Sequence, residues 1–123
     1  MYLTSLLLAV AATASSATAL DPARLMLLDA SSCQFVIMQK SLSEHTAAEN
    51  AKFESDRAKA RADMQKELPD ALKSAGDSAD LKSSIQAFYT AATAYCDDPS
   101  SKNEREYNAQ DNLLDKKLDA AGR

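Results

Sequence analysis

Residues 81–96, LKSSIQAFYTAATAYC, decide the fold. Leu81, Ile85, Phe88, Ala92 and Tyr95 recur at spacings of three and four, so they share one stripe of a 3.6-residue helix. Tyr89 and Cys96 flank that stripe. A strand would need its apolar residues at every second position, and this segment lacks that alternation. Its ends are marked as well. Gly76 stops what comes before it, Asp77 or Ser78 supplies an N-cap, and Asp97-Asp98-Pro99 closes the helix.

Downstream, Ser101-x-x-Glu104 has the form of a capping box and predicts a final helix. Tyr107, Leu114 and Leu118 then face inward, with Leu113 at the edge, and the tail Ala120-Ala121-Gly122-Arg123 is expected to fray.

Upstream, Glu67-Leu68-Pro69-Asp70 predicts an end or a kink, with a last turn or two running to Ala75. Between Ala23 and Leu68 there is neither Gly nor Pro, and Asp21-Pro22 is a strong helix start. In the first half of this stretch Leu25, Leu28, Ser32, Phe35, Gln39 and Leu42 form a stripe, widened by Met26, Cys33, Val36 and Ile37. That pattern predicts a deeply packed segment. Ser41-x-x-Glu44 and Thr46-x-x-Glu49 each offer a capping box where the chain can break, but we read one continuous helix with a bend near His45. In the second half Ala47, Ala51, Ala58 and Ala62 form a thin small-residue seam, helped by Phe53, Met64 and Leu68. Dense mixed charge surrounds that seam.

The cysteines turn these helices into a bundle. Cys33 and Cys96 both fall on inward faces, which predicts a disulfide joining the first and third helices, with two unpaired buried thiols as the alternative. Closing so long a loop restricts the unfolded chain by about 4 kcal/mol on the chain-entropy model. The expected fold is all-α, a small antiparallel bundle of three to four helices stapled by one disulfide.

The first twenty residues, MYLTSLLLAVAATASSATAL, have a short apolar run and end in Ala17-Thr18-Ala19, a small-x-small cleavage pattern. They predict a signal peptide over residues 1–19 and a single helical domain over residues 20–123. The apolar run is well short of the ~20 residues that span a bilayer, so no stable membrane insertion is expected after cleavage. The absence of Lys or Arg ahead of the apolar run departs from the usual signal pattern. Export would place the mature chain in a periplasmic or extracellular, oxidising compartment, where a disulfide persists.

Every charged residue lies beyond residue 20, and the net charge is −4 with both signs interleaved. Nucleic acids and anionic membranes need clustered cations, so neither is an expected partner. Catalytic patterns are equally sparse. The single imidazole, His45, has only Glu44 and Glu49 nearby, too few for a metal site. There is no Gly-x-Ser-x-Gly turn, no Cys-x-x-Cys, and only two Gly residues to build a phosphate loop. We therefore expect no enzyme, no cofactor and no metal.

The leading functional expectation is a small exported helical protein that binds another protein, as an inhibitor, an immunity-type protein or a stress chaperone. Its candidate face is the charged helix, through Lys52, Asp56, Arg57, Lys59, Arg61, Asp63 and Lys66. A chaperone would loosen in strong acid as its carboxylates protonate. The alternative is a carrier holding a small apolar ligand among Phe35, Met38, Phe88 and Tyr89.

Overall fold

The computed structural model describes residues 20–123, and the expected export segment, residues 1–19, lies outside the described residues. Four helices follow in order: α1 Pro22–Ser41, α2 Ala47–Ser74, α3 Ala79–Asp97 and α4 Ser101–Ala120. Short connections fold them back on one another, and α1 packs most extensively on α2, as α4 does on α3. The molecule is the expected small all-α bundle, and Cys33 and Cys96 are joined with their Cα atoms 6.0 Å apart.

Each helix begins on a capping side chain. Asp21 accepts a bond from the Ala23 N–H at 2.9 Å, with Pro22 in the first turn where its missing N–H costs nothing. Ser78 accepts from Leu81 and Ser100 from Asn103. The last of these corrects the expected Ser101 cap by one residue. Gly76, at φ 60°, takes the left-handed conformation that ends α2, as expected.

The expected continuity through His45 is not found. The chain breaks after Ser41, and Thr46 starts α2 with a complete capping box: Glu49 N–H donates to Thr46 Oγ1 at 3.1 Å, and Thr46 N–H donates to Glu49 Oε1 at 3.0 Å. The His45 ring fixes the turn by donating from Nε2 to the Gln39 carbonyl at 3.0 Å and meeting Phe53 edge-on. Two satisfied termini outweigh one bent helix because the break lets α2 reverse and bury its apolar side on α1.

Pro69 neither ends nor shortens α2, which runs through it to Ser74. A proline inside a helix costs about 3 kcal/mol. Burial of Ala71 and Ala75, with Leu68 and Leu72 packed on the core, offsets that loss. The C-terminal residues are tied down, against the expected fraying. Arg123 donates to Asp21 Oδ2 and to Ser74 Oγ, each at 2.6 Å, and its carbonyl accepts from Arg24.

The core is made by Met26, Cys33, Met64, Ile85, Phe88, Cys96, Tyr107, Leu114 and Leu118, all fully buried. Tyr95 and Tyr107 stack with ring centroids 5.3 Å apart. On α3 and α4 the expected residues are buried, joined on α3 by Ser84, Ala91 and Thr93. On α1 and α2 the expectation holds only for Met26, Cys33, Val36 and Met64. The core face of α1 is Ala23, Met26, Ala30, Cys33 and Val36, and the expected seam of Ala47, Ala51, Ala58 and Ala62 is exposed, its place taken by Ala60, Met64 and Ala71. Small side chains at Ala23, Ala30, Ala60 and Ala71 let the two long helices approach closely, which Leu28 or Phe35 in the same seam would prevent.

Candidate protein-binding surface

A helix that is apolar on every side has more hydrophobic surface than one neighbour can cover. In α1 that surplus is explicit. Once the small face has turned into the core, Leu28 (54% exposed), Phe35 (62%), Met38 (54%) and Leu42 (72%) are left on the outside. Leu28, Phe35 and Leu42 are spaced by seven residues, with Met38 between the last two, so they line one ridge. The periodicity of this stripe was legible in the sequence, but its direction was not: residues expected to be packed are exposed.

The polar groups along the ridge already have partners. Ser32 donates to the Leu28 carbonyl at 3.2 Å and Ser41 to the Met38 carbonyl at 2.7 Å. Lys40 reaches across to Glu54 on α2 at 2.9 Å. A surface laid on this ridge would therefore strand few polar groups.

The seven candidate residues of α2 fall into two sets, with Lys66 apart from both. Lys52, Asp56, Lys59 and Asp63 pair along the helix, Lys52 with Asp56 at 2.8 Å and Lys59 with Asp63 at 2.7 Å. Lys52 and Asp56 border a groove with Phe35, and Asp56, Lys59 and Asp63 border a second one of about 610 Å³ with Leu28, Ser32 and Phe35. They form the rim of the apolar ridge. Arg57 and Arg61 face α3 instead. Arg57 donates to the Cys96 carbonyl at 2.6 Å and pairs with Glu54; Arg61 donates to Asp97 at 2.9 Å. These two arginines neutralise the negative end of α3 and belong to the scaffold. Lys66 is exposed on the outer side of α2.

Hydrogen bonds from Lys40 and Arg57 hold the Glu54 carboxyl below its ordinary range. The Asp63 bond holds the Lys59 ammonium above its own, and the Asp97 bond does the same for Arg61. One cluster behaves in the opposite sense. Asp29 on α1 and Glu67 on α2 meet across the helix seam, and one buried oxygen of each, Asp29 Oδ2 and Glu67 Oε2, receives no donor. Burial, with the Asp29 contact and the Asp63 charge, pushes Glu67 up to about 8.

The remaining sequence candidates do not assemble. His45 lies 3.5 Å from Glu49 and is occupied in its turn, and among the described residues no group of three or more His, Cys, Asp or Glu is placed to hold a metal ion. Phe88 is fully buried while Phe35 and Met38 face solvent, which separates residues the carrier reading needs together. No helix among the described residues is long and apolar enough to cross a membrane. No protein-family model matches the chain, and neither a curated protein nor a solved structure does.

Proposed function

We propose that this is an exported helical protein that acts by binding another protein, and that the outer ridge of α1 is the binding face. The observation that carries the reading is the row Leu28, Phe35, Met38 and Leu42, each more than half exposed along α1 and its C-cap. Such side chains together present roughly 400–500 Å² of apolar surface, within the range of the largest patch a monomer leaves open, which is often a functional one. The disulfide supports the reading by fixing α1, through Cys33, against α3. The flanking charges Lys52, Asp56, Lys59 and Asp63 supply the polar rim that surrounds an interface core. An inhibitor, an immunity-type protein and a stress chaperone would each use such a face, and the sequence of residues 1–19 and the disulfide support the export part of the reading.

Photo-crosslinking in the source cell tests this. A crosslinking side chain placed at Phe35 is expected to capture a foreign protein that the same group at Lys66 does not. A position-35 probe that captures no foreign protein in any growth condition overturns the reading.

A further inference from the structure

Spacing along the ridge is symmetric about Phe35. Leu28 and Leu42 each lie seven residues from it, and Ser32 and Met38 each lie three residues from it. We propose that a second copy of this chain closes the ridge, its α1 antiparallel to the first about a two-fold axis through Phe35. This rests on reading the ridge as a protein-binding face and names what covers that face in the free protein, before a foreign partner takes it.

Under that symmetry Phe35 meets its own copy, Leu28 meets Leu42 and Met38 meets Ser32. Large residues fall opposite small ones where bulk would collide, and large apolar residues meet at the centre and at both ends. A parallel pairing would instead set Met38 beside Met38 and Ser32 beside Ser32, leaving the ridge unevenly filled, and would place two helix dipoles side by side in the same sense. The isologous arrangement also needs no second complementary surface, because one ridge serves both partners.

Size supports the same occupant. The ridge runs from Leu28 to Leu42, about 21 Å at the rise of an α-helix. Two such ridges cover roughly 800–1,000 Å² in total, so contact between the flanking rims is needed to carry the pair past the ~1,000 Å² that a specific interface must clear. Burial of Ser32 costs little because its hydroxyl is already bonded to the Leu28 carbonyl.

The test is sedimentation equilibrium on the oxidised mature chain, carried into the high micromolar range. A dimer is expected, and Phe35→Asp should weaken it by at least about 30-fold, the loss typical of a central interface residue. Leu28→Glu and Leu42→Lys should each weaken it alone. Combined, they should restore it, because the two substituted positions face one another only in the antiparallel register. Circular dichroism should be unchanged in every variant, since all these side chains are at the surface. A wild-type chain that stays monomeric, or a dimer indifferent to Phe35→Asp, overturns the proposal, and a dimer without rescue in the double variant overturns the antiparallel register. A monomer whose position-35 probe still captures a foreign protein refutes the second copy while leaving the binding face in place.

Discussion

Asp29 and Glu67 face each other across the seam between α1 and α2, and neither Asp29 Oδ2 nor Glu67 Oε2 receives a donor from the rest of the protein. Burial disfavours charge on Glu67 and the Asp29 carboxyl beside it adds to that, so the Glu67 carboxyl is pushed toward its protonated form. Asp63 adds to the repulsion and Lys66 relieves a little of it.

Folding stability is therefore expected to fall as the solution becomes alkaline. Glu67 sits at about 8 in the folded protein against an ordinary 4.5, so its contribution is whole below 4.5 and is lost as pH rises through 8. Asp21 acts oppositely. Burial disfavours its charge, but bonds from Arg123 and the Ala23 and Arg24 amides prevail and hold its carboxyl low, so its contribution is lost in acid below its ordinary 3.8. Urea unfolding across this range should show a maximum in mild acid. Glu67→Gln should remove the alkaline decline, stabilising the protein above pH 8 by on the order of 1–3 kcal/mol, with little effect near pH 5. An unaltered decline in the variant would show that another group is responsible.

The disulfide makes a larger contribution. Cys33 and Cys96 are 63 residues apart in sequence, and the loop they close limits the unfolded chain by about 4 kcal/mol. A Cys33→Ser, Cys96→Ser double variant, or full reduction, should lower the urea midpoint accordingly. Because α1 and α3 also share buried apolar contacts, helix content should persist in water. Retention of the full midpoint would show that the unfolded chain is already compact.

Two of the seven candidate face residues on α2, Arg57 and Arg61, should matter for stability. Arg57 covers the Cys96 carbonyl at the end of α3. Arg57→Met keeps the apolar stem but removes the donor, and a loss of about 1–2 kcal/mol is expected. Lys52→Ala and Lys59→Ala remove only exposed pairs along one helix and should leave stability nearly unchanged. Equal effects from all three would contradict the division into scaffold and rim.

Thr46 provides a check on the break between α1 and α2. Its side chain accepts the Glu49 N–H, and the Glu49 carboxylate accepts the Thr46 N–H in return. Thr46→Ala should cost about 1 kcal/mol, where an interior helical position would gain from Ala. A neutral or stabilising outcome would favour a continuous helix through His45.

How much the sequence could disclose depended on how many apolar faces each helix carries. On α3 and α4 the apolar residues occupy one side only, so Leu81, Ile85 and Phe88, like Tyr107, Leu114 and Leu118, could point nowhere else. On α1 the run Leu25-Met26-Leu27-Leu28 offers every direction at once. Periodicity then identifies a stripe without saying whether it is the one that packs. The choice was made by size. Ala23, Ala30 and Cys33 allow close approach to Ala60 and Met64, and the bulkier Leu28, Phe35 and Leu42 were displaced to the outside. On α2 alanines occur on several faces, and the bulky partner Met64 marked the correct one better than the Ala spacing did. The rim set Lys52, Asp56, Lys59 and Asp63 could be seen as a charged face, but its position beside Phe35 depended on that same rotation of α1.

The rotation of α1 can be tested through two phenylalanines. Phe88 is fully enclosed by the core, so Phe88→Ala should destabilise by about 3–5 kcal/mol through lost burial and the cavity left behind. Phe35 stands 62% exposed, so within one copy Phe35→Ser forfeits little and should change the stability of the dilute monomer by less than about 0.5 kcal/mol. Ordinary sequence reasoning assigns both residues to the core and would expect comparable losses. Urea unfolding of the two variants at low protein concentration separates the cases. At high concentration Phe35→Ser should lower the midpoint relative to wild type, because only the wild-type chain gains stability from association. A large loss from Phe35→Ser in the dilute monomer would return Phe35 to the interior and remove the ridge on which the binding surface depends.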